Sequence, residues 1–267
     1  MTVTGGGDAA VPVRRRLPGA RVLSDNAVIY WWGEILLALG FYFVYSAVRN
    51  AKFGGATEAF RNAQSLIDVQ RFLGIYHEEW LQDLALRVKP LIIGANYFYG
   101  SLHFVVTIGV MVFLFACWPD DYPYWRNTLA IATALALIGF TFWPLMPPRL
   151  LPASYGYVDT LARYPTFWSF NSGAVNKISN QYAAMPSVHC CWALWCACVL
   201  VPRVRHRWAK GLAIAYPVAT VTVIVLTGNH YFLDAVGGFT VLGLGFVIAR
   251  RVTRAGRGAR PSPRFGA

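Results

Sequence analysis

Apolar residues in this chain come in blocks of membrane-span length separated by short polar joints, not at the three- and four-residue steps of a soluble amphipathic fold. The blocks predict six spans, near 27–48, 90–117, 128–145, 186–202, 208–227 and 231–249. The third and fourth fall short of the ~20 residues a straight span needs, so their ends are expected to lie in protein or in a polar cavity. One stretch has a different period. Between the first two spans Ala59, Ala63, Leu66, Val69, Leu73, Tyr76, Trp80 and Leu84 recur at helical steps with charged residues between them. That predicts a non-spanning amphipathic helix pair over 56–88, broken at Gly74, lying on the outer interface or capping the bundle. Nothing polar recurs on the stripe, so it reads as packing. The expected fold class is all-α, a polytopic integral membrane protein: a six-transmembrane-helix bundle with amphipathic interfacial helices.

Composition agrees with the pattern: 56% of residues are hydrophobic, 13% charged, and the mean hydropathy is +0.43. Charge adds an orientation. The net charge of +12 would suggest nucleic acid in a soluble protein, but here it is topogenic. Arg14, Arg15, Arg16 and Arg21 precede the first span; Arg203, Arg205, Arg207 and Lys210 sit between the fourth and fifth; six arginines from Arg250 to Arg264 follow the last. Six spans bring all three clusters to one side, which the positive-inside rule makes cytoplasmic. The chain thus divides into a disordered basic cytoplasmic tail (1–26), a membrane domain (27–249) with an outer loop at 146–185, and a second basic cytoplasmic tail (250–267). The five cysteines lie in or at the ends of apolar spans and read as small hydrophobes, not as disulfides or metal ligands. A cell-membrane location with both termini cytoplasmic follows, with no nucleic-acid partner.

Candidate chemistry gathers on the outer side. Met185-Pro186-Ser187-Val188-His189 and Thr227-Gly228-Asn229-His230-Tyr231-Phe232-Leu233-Asp234 each place a histidine at the start of an apolar run. Asp234 follows His230 by four positions, one helical turn deeper on the same face, where it can orient the imidazole. No acid stands at the matching position after His189, since residue 193 is alanine. Ser187 opens a Pro-initiated helix whose free N–H groups suit an anion. Arg149, held in Pro147-Pro148-Arg149-Leu150 at the mouth of the bundle, offers a planar fork to a phosphate. Asn96, Tyr99 and His103 share one face near the outer end of the second span, either as a bundle contact or lining the polar site. The loop from Tyr155 through Tyr157, Tyr164, Phe167, Trp168 and Phe170 to Asn171 and Lys177 is aromatic and weakly basic, as a headgroup interface would be. A carboxylate-aligned imidazole is a nucleophile or base and a second imidazole a general acid, so with an arginine the matched reaction is phosphoryl transfer.

At these residues the chain resembles the type-2 phosphatidic acid phosphatase superfamily, in its inositol-phosphorylceramide-synthase-like branch. Pro147-Pro148-Arg149-Leu150 looks like that family's first motif, Met185-Pro186-Ser187-Val188-His189 its second, and Gly228-Asn229-His230-Tyr231-Phe232-Leu233-Asp234 its third, in the family's order. The resemblance implies a phosphatase or phosphotransferase acting on a lipid phosphate or phospholipid, without metal or other cofactor. It implies His230 as nucleophile, Asp234 as its orienter, His189 as general acid and base, and Arg149 and Ser187 as phosphate binders. The phosphatase form has Ser-Gly-His in the second motif where this chain has Ser187-Val188-His189. It has Ser-Arg ahead of the third where this chain has Val223-Ile224, and a first-motif lysine where the region reads Phe142-Trp143-Pro144. Lys177, Asn229, Asn96, Tyr99 and His103 are the candidates to replace those cations, and the acceptor is left open between water and an alcohol. Two other classes fit the residues: a metal-dependent hydrolase using His103, His189, His230 and Asp234, and a non-catalytic lipid carrier.

Overall fold

The computed structural model describes residues 19–25, 27–50, 55–166 and 181–258. It opens on a small antiparallel hairpin, β1 (Ala20–Val22) and β2 (Val28–Tyr30), in which Ala20 faces Tyr30 and Val22 faces Val28. The hairpin occupies part of the stretch expected as tail. Leu23 is buried there and Ser24 N donates to Asp120 Oδ1 at 2.6 Å, contacts that a Gly- and Arg-rich composition does not reveal.

Helices follow: α1 (Trp31–Asn50), α2 (Ala56–Phe72), α3 (Glu78–Leu86), α4 (Lys89–Tyr97), then a π-helical turn (Phe98–Leu102) leading directly into α5 (His103–Cys117). After α6 (Tyr122–Phe142) the chain makes two 3₁₀ turns, Pro148–Leu150 and Ala153–Tyr155, and the four-residue α7 (Thr160–Arg163). It closes with α8 (Val188–Leu200), α9 (Arg207–Leu226) and α10 (Phe232–Gly258). Five apolar segments are long enough to cross a membrane: α1, the continuous α4–α5, α6, α9 and the greater part of α10. The count among the described residues is therefore five, not six. The sixth expected span is α8, with 13 residues and a length of about 20 Å at ~1.5 Å per residue. It is short because it lies inside the bundle: Cys190, Cys191, Ala193, Trp195 and Cys196 are fully buried, and it packs on α5, α6, α9 and α10.

The most extensive helix pair is α6 with α10. Close approach there needs Gly245, whose Cβ would stand 3.0 Å from Ala132 Cβ and Thr128 O. Gly238 faces α8 more tightly still, with a Cβ position 2.3 Å from Ser187 O. The end of the bundle remote from the histidines is tied by ion pairs, Arg126 to Glu34 at 2.6 Å and Arg203 to Asp121 at 2.5 Å.

The α2–α3 pair breaks at Gly74, which takes a left-handed φ of +69°, and it caps the end where α8 and α10 begin. The expected stripe is only half right. Ala59, Ala63 and Leu66 are buried, but Val69, Leu73, Trp80 and Leu84 are 48–60% exposed. An interfacial helix has two apolar faces, one toward protein and one toward lipid, and a single period does not separate them. The protein face of the pair instead buries Gln70, Glu78 and Gln82. Tyr157, expected at the headgroup surface, is also buried and donates to Tyr76 Oη at 3.2 Å.

Candidate active site

His230 sits at the entry to α10, 4% exposed, with Asp234 wholly buried one turn on. Its Nδ1 lies 2.8 Å from Ala184 O and 3.1 Å from Asp234 Oδ2. A carbonyl oxygen only accepts, so Nδ1 carries the proton and the neutral ring presents the lone pair of Nε2. Asp234 Oδ2 also accepts from Tyr231 N at 3.0 Å, which closes the first turn, while Oδ1 is buried with no hydrogen-bond partner among the described residues. A carboxylate so placed fixes the orientation and tautomer of the adjacent imidazole. The second histidine motif is tied to the third through backbone, Ser187 N donating to Asp234 O at 2.9 Å.

The His189 ring centroid lies 5.7 Å from that of His230. Tyr99 stacks on His189 at 4.3 Å and 21°, and the His103 ring lies 4.3 Å from it on another side. His103 Nδ1 in turn approaches Tyr99 O at 3.1 Å. The π-helical turn makes this possible, because one extra residue in the turn rotates Tyr99 and His103 relative to the helix below. Two of the three expected second-span residues, Tyr99 and His103, therefore stand at the histidines.

Arg149 enters from the Pro-rich exit of α6. Its backbone N donates to Gly228 O at 2.8 Å, so the first and third motifs are joined at the main chain. Its Nη1 donates to Asp159 Oδ2 at 2.9 Å, and its Nε is buried with no partner among the described residues. Asp159 is a residue the sequence reading missed. Its Oδ1 caps α7 by accepting from Leu161 N and Ala162 N while Oδ2 aims the arginine. A lone acid in an irregular loop has no periodic signature.

Two expected binding residues are placed otherwise, and a third is not among the described residues. Asn96 is fully buried, its Nδ2 donating to Thr160 O and Tyr164 O and its Oδ1 accepting from Thr160 Oγ1, so it is the bundle contact and does not line the cavity. Ser187 is fully buried as the N-cap of α8, accepting from Cys190 N at 3.4 Å, and it too lies outside the cavity wall. Lys177 falls outside the described residues, as do Phe167, Trp168, Phe170 and Asn171. Asn229 does reach the cavity, with its Nδ2 donating to Thr227 Oγ1 at 2.8 Å.

His189, His230, Arg149, Asn229, Tyr99 and His103 border one end of a cavity of about 1410 Å³. The cavity continues between α1, α5 and α6 past apolar side chains to Glu34 and Arg126 at the far end. Trp31 and Ser46 both lie on its α1 wall, which at ~1.5 Å per residue makes that wall roughly 22 Å long. Among the described residues no group of three His, Cys, Asp or Glu side chains converges as a metal ion would require.

A family model described as the PAP2 superfamily matches residues 64–248, a stretch that contains all three motifs. Over 171 residues the chain is 28% identical to the inositol phosphorylceramide synthase catalytic subunit aur1 of Schizosaccharomyces pombe (strain 972 / ATCC 24843). That alignment covers 58% of this chain and 39% of the relative, so the chain spans well under half of the relative's length. No solved structure matches.

Proposed function

The chain belongs to the PAP2 superfamily, and from that membership and the geometry at His230 we propose that it is a membrane lipid phosphatase or phosphotransferase working through a phosphohistidine. The observation that carries the reading is the fixed tautomer: Ala184 O and Asp234 Oδ2 both engage Nδ1, which leaves Nε2 as the nucleophile.

In the first step Nε2 attacks phosphorus and the bond from phosphorus to the leaving oxygen breaks. His189 gives that oxygen its proton. The positive charge on the phosphorylated ring is offset by buried Asp234, and Arg149 neutralises the equatorial oxygens through its unpaired Nε and remaining N–H groups. In the second step an incoming water or alcohol gives its proton to His189 and attacks phosphorus, and the bond to Nε2 breaks. Catalysis of phosphoryl transfer is mostly positioning and charge stabilisation, and these side chains are the ones that would supply both.

A lipid substrate is supported by the cavity, which exceeds the ~300–1,000 Å³ of an ordinary small-ligand pocket and is walled mainly by apolar side chains beyond its polar end. In this reading the phosphate lies at the histidines on the extracytoplasmic side of the cell membrane and the hydrocarbon follows the cavity toward Glu34 and Arg126. The basic clusters flanking the spans support that orientation. The relative named as an inositol phosphorylceramide synthase supports including transfer of a phosphoinositol headgroup to an alcohol among the reactions tested.

The experiment is a panel of lipid phosphates and phospholipids, with and without an alcohol acceptor, in which released phosphate and newly formed lipid are both measured. Turnover that survives a chelator and depends on His230 supports the reading. Loss of turnover in chelator would favour a metal-dependent hydrolase, and binding with no turnover of any donor would favour a lipid carrier.

A further inference from the structure

Three polar side chains of the interfacial helices α2 and α3 lie wholly inside the protein: Gln70 and Glu78 with no exposure and Gln82 at 1%. Burial of such groups is costly unless each finds hydrogen bonds, so their partners show what they are there to hold. All three reach the elements that carry the site. Glu78 Oε1 accepts from Phe232 N at 3.0 Å and Gln70 Oε1 accepts from Leu233 N at 3.1 Å. These are N–H groups of the first turn of α10, which have no acceptor within their own helix. A helix start is ordinarily capped by its own neighbouring residues. Here the acceptors lie 154 and 163 positions away in the chain. Gln70 Nε2 donates to Glu78 Oε1 at 2.6 Å, which locks the two acceptors together.

Gln82 does the same for the opposite wall. Its amide forms a two-way pair with Val158, Nε2 donating to Val158 O at 3.1 Å and Oε1 accepting from Val158 N at 2.8 Å. Val158 precedes Asp159, which aims Arg149. The same Nε2 lies 2.6 Å from where a Cβ on Gly228 would stand, and Gly228 takes a left-handed φ of +65°. Only glycine meets both conditions without strain.

We propose that Glu78 and Gln70, with Gln82, are positioning residues for the phosphoryl-transfer site: the interfacial helices set the start of α10, and so the aim of His230, against the Arg149 loop. The inference rests on the proposed chemistry for what the aim is worth, but not for the contact that sets it. Its role for Glu78 is that of an acceptor at a fixed place. Burial pushes the Glu78 carboxyl above the usual carboxylate range, against the pull of the Phe232 amide. A glutamine at 78 offers the same acceptor oxygen without a charge to bury.

The test uses the full-length protein in lipid nanodiscs, comparing wild type with Glu78→Ala, Glu78→Gln and Gln82→Ala. Amide hydrogen exchange is followed for residues 231–234, with residues 207–226 of α9 as reference, alongside kinetics on dioctanoyl phosphatidate. Glu78→Ala is expected to speed exchange at 231–234 but not in α9, and to lower kcat about tenfold or more with KM within about twofold, since misaim costs the chemical step and not binding. Glu78→Gln should restore both. Gln82→Ala should act mainly on KM, through Asp159 and Arg149. Unchanged exchange in Glu78→Ala overturns the proposal, as does faster exchange with kcat untouched, or Glu78→Gln matching Glu78→Ala. If wild type hydrolyses no phosphate ester, the functional reading fails alone, and the exchange data still decide whether these side chains set the helix start.

Discussion

The hydrogen on His230 Nδ1 is held by two acceptors at once, and it determines which ring nitrogen can act. His189 has a different setting, stacked on Tyr99 and beside His103, with Ala193 where an acid would stand one turn on. The division of labour follows. With an activated leaving group that needs little protonation, His189→Ala should retain formation of the phosphoenzyme while its turnover on an alkyl phosphate ester falls by roughly 10²–10⁴, the usual reach of general acid–base catalysis. Single-turnover kinetics with the two kinds of ester separate these effects; equal losses on both would contradict the assignment. At Arg149 the charge alone is insufficient. Arg149→Lys should raise the barrier by about 1.5–3 kcal/mol, read from kcat/KM, because a compact ammonium cannot present a planar fork to a phosphate while it is held by Asp159. Arg163→Lys, at an exposed position, serves as the control and should change little.

Between helices the decisive contact is the crossing of α8 and α10, where Gly238 lies against Ser187 O and Ser187 N is bonded to Asp234 O. Gly238→Ala puts a methyl 2.3 Å from a backbone oxygen that cannot rotate away, so the helices must part. A loss of about 1–3 kcal/mol is expected, the usual cost of overpacking, seen as a lower thermal midpoint in detergent. Gly243→Ala meets nothing within 4 Å and should be neutral. The same elements mark what the sequence reveals. The two histidine motifs are legible because each combines reactive residues with a helix-start signal, and Asp234 because four positions make one turn. Arg149 is legible because prolines hold a cation where topogenic charge does not belong. Gln70, Glu78 and Gln82 are hidden for the opposite reason: they sit among charged residues on helices whose visible apolar stripe faces outward in part, and their partners are far along the chain. Asp159 is hidden in irregular structure, and the shortness of α8 reflects its burial by four neighbouring helices, which composition does not encode.

Taken whole, the molecule joins the polar end at the histidines and Arg149 to a cavity that runs most of a bilayer's hydrocarbon thickness, ~30 Å. Ala130 lies on the cavity wall, one turn from Thr133 toward the Arg126 end of α6. Ala130→Trp should raise KM for a long-chain lipid phosphate about tenfold, some 1.4 kcal/mol, and leave a short-chain ester unaffected; equal effects on both would contradict tail binding there. Orientation is tested by single cysteines in intact cells. Tyr155→Cys should react with an impermeant maleimide and His206→Cys should not, and the reverse pattern would invert the topology. The central claim is that phosphate passes through His230. Rapid acid-free quench of the wild-type protein with a lipid carrying radiolabelled phosphate measures this directly. The account predicts a label on the protein that forms and decays at rates compatible with turnover, is acid-labile and base-stable as a phosphoramidate, and is absent from His230→Ala. Full turnover with no label at any time, or a label that persists in His230→Ala, would contradict it.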